Sequence, residues 1–151
     1  YGEKKILISG CNYFIFRISW LISKSKKSFI SKIIKKIKSG NEFFVVNDNF
    51  GNPTSVSFIS KFLDKNINNF FLKKSGIYNL VNQGKASWFQ VASKVCEYLK
   101  KKDIKIKKIS FKDFPSNTKR PINSCLSMIK TNKVFIVNKK HWEYELKKIV
   151  K

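Results

Sequence analysis

Apolar residues recur along this chain at two alternating spacings, and that alternation constrains the fold more than any other feature. From Ser28 to Gly40 they lie on one face of a helix, which Gly40 ends. Residues Phe43–Val46 then form a short apolar run typical of a buried strand. The alternation continues in a helix over Ser57–Ile67, a strand over Gly76–Leu80 and a helix over Trp88–Lys100 with Ser87 as its N-cap. Helices that alternate with short strands predict the α/β or α+β class.

The rest of the chain completes one folding unit. Its predicted elements are a helical piece over residues 1–9 that ends before Gly10, strands over Tyr13–Ile18, Ile104–Ile109 and Ser124–Leu126, and helices over Met128–Lys133 and His141–Val150. Hydrophobic residues make up 42% of the 151 residues. A chain of this size and composition buries enough surface for one domain with a sizeable core.

The charge of the chain is strongly one-sided. Its net charge is +23, and all but two of its 32 basic residues are lysine. Such a high positive charge first suggests a polyanion partner. Arginine is the residue suited to bidentate phosphate contacts, and it occurs only as Arg17 and Arg120. The lysines are spread in short clusters without interleaved aromatics for base stacking. No specific nucleic-acid function is therefore expected, and polyanion binding by charge alone stays an alternative.

The cysteines and the histidine do not suggest a metal or disulfide site. Cys11, Cys96 and Cys125 are far apart and form no C-x-x-C pair, which favours a reducing, cytoplasmic setting. His141, the only histidine, stands at the start of the last predicted helix, where a surface or capping role is expected. No apolar run reaches the about 18 residues of a membrane span, so no membrane partner is expected.

Tyr1 and Lys5 form a Y-x-x-x-K pair at the start of the chain. On a helix, residues four apart share a face, so the Lys5 ammonium would lie beside the Tyr1 phenol and favour its phenolate form. A tyrosine activated in this way donates a proton to a carbonyl oxygen as hydride arrives at the carbon. The spacing alone is weak evidence, because Tyr98/Lys102 and Tyr144/Lys148 also satisfy it.

Five further segments give the pair a context. Each segment matches a sequence pattern. The first three matches are Arg17-Ile18-Ser19-Trp20 with R-T-S-W, Val46–Thr54 with V-x-D-Q-x-G-x-P-T, and Gly76–Phe89 with G-I-Y-H-x…G-x-x-S-W-Y. The last two are Phe114–Leu126 with Y-P-T-x-x-x-R-P-x-x-S-x-L and Trp142–Leu146 with W-x-x-x-L. In this order they resemble the dTDP-4-dehydrorhamnose reductase family, which belongs to the extended short-chain dehydrogenases/reductases.

The resemblance implies a role for six residues. Tyr1 and Lys5 are the implied catalytic pair, and with Ser19 they also bind the cofactor. Trp20 lines the sugar site, with a core aromatic as the alternative. Asp48 is assigned to the substrate site, with turn formation as the alternative, and Arg120 lies near the nucleotide diphosphate unless it is a surface cation.

The implied fold is the C-terminal part of an NAD(P)-binding, Rossmann-like unit together with a smaller α/β substrate-binding domain. Residues 1–26 would be the remnant of the Rossmann domain, and residues 27–151 mainly the sugar-nucleotide-binding domain. Because the sequence contains no G-x-x-G-x-x-G motif and opens at Tyr1 without Met, the chain is expected to be a fragment with little activity alone. Magnesium and a homodimer are open possibilities that the sequence does not indicate.

The implied reaction is reduction of dTDP-4-dehydro-6-deoxy-L-mannose to dTDP-L-rhamnose by NADPH or NADH. Two alternatives share the fold. One is another sugar-nucleotide reductase or epimerase. The other is a non-catalytic binding module such as the regulatory subunit of methionine adenosyltransferase.

Overall fold

The computed structural model describes residues 1–101, 103–115 and 121–151. Its helices are α1 (Gly2–Leu7), α2 (Phe29–Lys38), α3 (Val56–Asn66), α4 (Trp88–Tyr98), α5 (Ile129–Val134) and α6 (Trp142–Val150), with a 3₁₀ helix at Ile67–Leu72. Its strands are β1 (Phe14–Arg17), β2 (Leu21–Ile22), β3 (Phe43–Val46), β4 (Phe50–Gly51), β5 (Thr54–Ser55), β6 (Gly76–Asn79), β7 (Ala86–Ser87) and β8 (Ile106–Ile109). Helices and strands alternate, so the predicted α/β class is confirmed.

The strands pair two by two. Strand β1 runs parallel to β6, β2 to β5, and β3 to β8, whereas β4 and β7 are antiparallel. Parallel partners need a long crossover connection, and the helices α2, α3 and α4 lie in these connections. The two-residue pairs β2–β5 and β4–β7 join segments that are distant in sequence, which positions the candidate site described below.

Local sequence explains the helix starts. The Ser28 hydroxyl accepts a hydrogen bond from the Ser31 amide at the start of α2, and Gly40 follows that helix with φ +77°. Ser87 begins α4 with a capping box, in which its hydroxyl accepts from the Gln90 amide and the Gln90 side chain accepts from the Ser87 amide. The predicted cap at Ser87 is confirmed.

The apolar residues form two separate clusters. The first packs α2, α4 and α6 against β3, with Ile30, Val91 and Leu146 fully buried. The second surrounds Tyr78 on β6 and contains Phe58, Phe62, Leu80 and Phe135, with Phe14 and Phe16 of β1 packed against it. The second cluster therefore uses residues from both sides of the expected boundary at residue 26, and that boundary stays a prediction.

One predicted strand is wrong. Residues Ser124–Leu126 form no strand, and the chain there makes a single bridge, between Asn123 and Phe50. The reason is a contact with a segment distant in the sequence, because the Leu126 amide donates to the side chain of Asn52 instead of continuing a ladder. In the described part of the chain, the helices fall short of the length and apolar character that crossing a bilayer requires.

Candidate functional site

Residues 47–55, called the central loop here, bring the motif segments together. Toward the Arg17–Trp20 segment, the Thr54 amide donates to the Trp20 carbonyl at 2.9 Å, and the Asn52 amide donates to Ser19 Oγ at 3.2 Å. Toward the helix α4 segment, β4 pairs with β7, so that Gly51 lies opposite Ala86. Segments separated by more than thirty residues in the sequence thus meet at one place.

The central loop also binds the segment that follows residue 120. The Phe50 amide donates to the Ile122 carbonyl, and the Ser124 amide donates to the Phe50 carbonyl, each at 2.8 Å. Asn52 connects two segments through its side chain, because its Nδ2 donates to the Gly84 carbonyl and its Oδ1 accepts from the Leu126 amide, both at 2.8 Å. Because Ser55 Oγ also donates to the Glu145 carboxylate at 2.8 Å, the other four segments singled out in the sequence all contact this loop.

Trp20 is held between two neighbours. Its indole stacks on that of Trp88 with ring centroids 3.7 Å apart and an interplanar angle of 6°. A Cβ built on Gly51 would lie only 2.5 to 2.7 Å from Trp20 ring atoms, so only glycine fits there. Trp20 also has φ +22°, a conformation that costs a non-glycine residue about 1–3 kcal/mol. The structure keeps Trp20 in a strained and closely packed position.

An open cavity of about 440 Å³, called the Trp20 cavity here, lies at this position. It is bordered by α1, by the end of β1 and by the segment after residue 120. Its lining residues are Glu3, Arg17, Ile18, Ser19, Trp20, Pro121, Ser124 and Leu126. Two predicted site residues, Ser19 and Trp20, therefore line the same cavity. Ser19 is only 5% exposed, and its hydroxyl oxygen accepts a hydrogen bond from the Asn52 amide.

Tyr1, the N-cap of α1, and Lys5, within α1, do not line this cavity, which the helix reaches through Glu3. Although α1 ends at Leu7, as the early Gly10 predicted, it keeps the two residues one turn apart, since the Lys5 amide donates to the Tyr1 carbonyl at 3.3 Å. The Lys5 Nζ atom is 5.7 Å from the centroid of the Tyr1 ring. Tyr1 is 97% exposed, so its phenol is accessible to a bound molecule.

A second cavity, of about 460 Å³, lies on the other side of the stacked indoles and is called the Trp88 cavity here. It is lined by Phe29, Lys32, Ile33, Lys36, Phe44, Val45, Val46, Asn49, Trp88, Phe111 and Phe114. The walls are mainly aromatic and aliphatic, with lysine and amide groups among them. The Asn49 side chain donates at 2.7 Å to the carbonyl of Pro121, which lines the Trp20 cavity. One contact thus joins the linings of both cavities.

One predicted substrate residue, Asp48, lines neither cavity. Asp48 accepts hydrogen bonds from Ser110 Oγ at 2.6 Å and from the Phe111 amide at 2.8 Å. These bonds lower the pKa of the Asp48 carboxyl below its usual value. Asp48 therefore fixes the loop after β8, and a substrate role for it stays a prediction. Arg120 lies outside the described residues, so its contact with a diphosphate also stays a prediction.

The Tyr144/Lys148 pair shows that a neighbouring tyrosine and lysine do not by themselves identify a catalytic pair. The Lys148 Nζ atom lies 4.1 Å from the centroid of the Tyr144 ring. Hydrogen bonding and charge from Lys148 lower the pKa of the Tyr144 phenol. This pair lies on α6, outside the linings of both the Trp20 and the Trp88 cavities. The Tyr1/Lys5 pair differs from the Tyr144/Lys148 pair only in its context, namely the motif segments that follow it in the sequence.

Sequence reasoning missed the packing partners of the site. Trp88 was expected only as a helix residue in a matching motif, and neither Gly51 nor Asn52 was singled out for a role. The signal was present, because Gly51 and Trp88 both occur in the quoted motifs, but a motif does not reveal which of its residues contact each other. Glu3 was also missed, although it lines the Trp20 cavity and forms an ion pair with Arg17 at 2.6 Å.

His141 is the N-cap of α6, where its Nδ1 accepts from the Glu143 amide at 3.4 Å. The predicted capping role is confirmed. Among the described residues, no group of three or more His, Cys, Asp or Glu side chains is arranged to hold a metal ion.

Solved structures share this fold. A dTDP-4-dehydrorhamnose reductase from Bacillus anthracis, solved in complex with NADP, superposes with a TM-score of 0.86 at 30% identity, over 98% of this chain and 51% of that one. A dTDP-glucose 4,6-dehydratase from Bacillus anthracis, solved in complex with NAD, shares the fold at 15% identity with a TM-score of 0.70, over 91% of this chain and 43% of that one. The fold of this chain is that of the extended short-chain dehydrogenase/reductase class.

The family is equally clear. The model of the RmlD substrate binding domain matches residues 1–151, and the chain belongs to that family. A dTDP-4-dehydrorhamnose reductase of Sinorhizobium fredii is 29% identical over 99% of this chain and 53% of its own length. One of Escherichia coli K12 is 27% identical over 99% of this chain and 52% of its own length. The chain thus spans about half the length of these relatives.

Proposed function

We propose that this chain supplies the proton-donating and sugar-nucleotide-binding part of an NAD(P)H-dependent reductase. Its substrate would be dTDP-4-dehydro-6-deoxy-L-mannose and its product dTDP-L-rhamnose. The relatives named above carry the name of this activity. The observation that supports the proposal most is the convergence of the motif segments on the central loop. This loop holds together the two segments, before residue 21 and after residue 120, that line the Trp20 cavity with Glu3 of α1.

The proposed chemistry uses the phenol of Tyr1 and the ammonium of Lys5. When bound, the nicotinamide cofactor supplies a hydride to carbon 4 of the sugar. The Tyr1 phenol donates its proton to the carbonyl oxygen as negative charge develops on that atom. The Lys5 ammonium, 5.7 Å from the Tyr1 ring centroid, stabilises the phenolate that remains. The Trp20 cavity would orient the sugar and limit its access to water.

The described residues fit the nicotinamide end of such a cofactor. A phenol and an ammonium are hydrogen-bonding partners for ribose hydroxyls, and both side chains lie exposed on α1. Ser19, the third predicted cofactor residue, is buried and already bonded to the Asn52 amide, which supports a structural role more than a direct contact. The choice between NADH and NADPH would depend on groups that bind the other end of the cofactor.

The Trp88 cavity supports a place for the nucleoside. Its aromatic walls suit a pyrimidine ring, because base–aromatic stacking contributes about 1–3 kcal/mol. Its lysines Lys32 and Lys36 would attract the negative diphosphate, and Arg120 would bind it in bidentate fashion. A sugar nucleotide that extends from the Trp88 cavity to the Trp20 cavity would then place its sugar near α1.

Two further properties belong to the proposal. The unpaired state of Cys11, Cys96 and Cys125 supports the expected cytoplasmic setting. A homodimer is compatible with the exposed apolar residues Ile6, Leu7 and Ile8 on and after α1, which are available for contact with another polypeptide surface.

The test is a titration of the chain with dTDP-rhamnose, with dTDP and with inorganic polyphosphate at moderate salt, followed by calorimetry. The proposal predicts saturable binding that prefers the dTDP-sugar and is weakened in Arg120→Ala. Lys24→Ala is the matched control, since it removes an exposed cation outside both cavity linings. Equal binding of all three ligands that collapses as salt rises would instead favour polyanion binding by charge. A folded chain that binds none of them would contradict the proposal.

A further inference from the structure

We infer that Trp88 is a positioning residue, which holds Trp20 so that its indole edge, and not its face, meets the sugar in the Trp20 cavity. This inference rests on the proposed function, because it assumes that a sugar occupies that cavity. It adds to the proposed function a residue that determines how the sugar part of the ligand is recognised.

Both faces of the Trp20 indole are covered. Trp88 covers one face, at 3.7 Å and nearly parallel. The Gly51 backbone lies over the five-membered ring on the other face. A Cβ there would come within 2.5 Å of Trp20 Cε2, 2.6 Å of Cδ2 and 2.7 Å of Nε1, and no Trp88 atom is among its nearest neighbours. A sugar in the cavity therefore cannot stack on the five-membered ring of Trp20, and it meets the edge that carries Nε1.

The edge of the indole carries one polar group. The Nε1–H of Trp20 donates no hydrogen bond to another described residue, and the described residues include no buried polar side-chain atom without a partner. This N–H is therefore not fully buried, and it can donate to a sugar hydroxyl. Its direction depends on the rotation of the ring, which the stack with Trp88 fixes.

Trp88 is itself firmly anchored. It is the first residue of α4, directly after the Ser87 capping box, and Ser87 pairs with Phe50 of β4. The Phe29 ring packs against it with centroids 4.2 Å apart. Trp88 also lines the Trp88 cavity. The same indole thus contacts the proposed nucleoside cavity and fixes the residue that meets the sugar, which makes the sugar part of the binding energy depend on Trp88.

The experiment compares Trp88→Leu, Trp88→Phe and Phe89→Leu with the wild-type chain. Phe89 is the matched control, because it is the neighbouring aromatic residue, is equally half-buried and packs against the same cluster. The readout is the ratio of the dissociation constants of dTDP and dTDP-rhamnose, since a ratio is insensitive to a general loss of folded protein. Far-ultraviolet circular dichroism reports whether each variant is folded.

We expect this ratio to be about tenfold smaller in Trp88→Leu than in the wild-type chain. A tenfold change corresponds to a loss of about 1.4 kcal/mol in the binding free energy that the sugar contributes. We expect Trp88→Phe to retain most of the ratio, because a phenyl ring can still stack on Trp20, and Phe89→Leu to leave it unchanged. A folded Trp88→Leu variant with the wild-type ratio would overturn the inference and leave the proposed function intact. A wild-type chain without preference for the dTDP-sugar would contradict the proposed function and the inference with it.

A measurement on the wild-type chain tests the inference even where Trp88→Leu does not fold. Two stacked indoles give a coupled signal in circular dichroism, which Trp142→Phe should keep because Trp142 is buried elsewhere in the first cluster. We expect dTDP-rhamnose to change this signal, because it contacts the Trp20 edge, and dTDP to change it less. An identical response to both ligands would overturn the inference.

Discussion

The guanidinium of Arg17 holds the carboxylate of Glu3 with two hydrogen bonds, from Nε to Oε1 at 2.9 Å and from an Nη atom to Oε2 at 2.6 Å. This pair joins α1 to the end of β1. None of the six residues of α1 is buried, so apolar packing contributes little to the position of this helix. The helix that carries Tyr1 and Lys5 is therefore held mainly by one bidentate ion pair.

Replacing Arg17 is expected to release α1. In Arg17→Leu the carboxylate of Glu3 loses both donors, whereas Arg17→Lys keeps a charge but loses the planar two-point contact. Hydrogen exchange of the Lys5 and Ile8 amides, which donate within and after α1, should accelerate most in Arg17→Leu and less in Arg17→Lys. The amides of α4 serve as the internal control. Unchanged protection of the α1 amides in Arg17→Leu would show that other contacts position the helix.

The same pair predicts a pH dependence for α1. Hydrogen bonding to Arg17 lowers the pKa of Glu3 from its ordinary value of 4.5. Because the folded pKa is the lower one, the stabilisation is fully present above pH 4.5 and is lost as the pH falls through the folded pKa. Protection factors of the α1 amides, corrected for intrinsic exchange, should therefore fall in acid before those of α4. In Glu3→Gln the protection of the α1 amides should no longer fall in acid before that of the α4 amides.

Glu145 is expected to contribute to global stability. Only 5% of this acidic residue is exposed, and it accepts a 2.8 Å hydrogen bond from Ser55 Oγ, the N-cap of α3. Glu145→Leu removes the acceptor and should cost about 1–3 kcal/mol in urea unfolding. Glu145→Gln keeps an acceptor oxygen and should cost less. Glu143→Leu is the control on the same helix, because it removes only a surface ion pair with Lys94, worth about 0–1 kcal/mol. Equal losses at both positions would contradict this role of Glu145.

The elements that could be predicted from the sequence are those whose residues carry their own signal. The apolar spacing of α2 and the run at Phe43–Val46 gave bounds that agree with the structure. The two-residue strands β2, β4, β5 and β7 could not be predicted, because so short a segment has no period. Their pairing depends on partners distant in the sequence. The strand expected at Ser124–Leu126 was wrong for the same reason, since a side chain of the central loop binds that segment.

The candidate site was predictable as a set of motifs and not as a geometry. The motifs singled out Ser19 and Trp20, which line the same cavity, but they gave no sign that Trp88 stacks on Trp20. Nor did they show that Asp48 is bonded to the loop after β8. Contacts between side chains of different segments depend on how the chain folds in three dimensions, and a single sequence contains no record of them.

The capping box of α4 is expected to stabilise the whole domain. Ser87→Ala removes the acceptor for the Gln90 amide, bonded at 3.1 Å, and should cost about 1 kcal/mol in urea unfolding, as N-cap serines generally do. Ser93→Ala is the matched control within the same helix, because its hydroxyl donates only to the Phe89 carbonyl one turn earlier, a bond that adds little. A Ser93→Ala loss as large as that of Ser87→Ala would argue against the cap as the cause.

Gly51→Ala tests the close packing around Trp20. The added methyl group would lie 2.5 Å from the Trp20 ring, and the ring cannot retreat because Trp88 is stacked on its other face. We expect a loss of about 1–3 kcal/mol in urea unfolding, typical of overpacking, and a weaker coupled indole signal in circular dichroism. Gly2→Ala is the control, since nothing lies within 4 Å of a Cβ there and Gly2 is the exposed first residue of α1. If Gly51→Ala kept both the stability and the indole signal, Trp20 would have room to move, and its covered faces could not determine how a sugar approaches it.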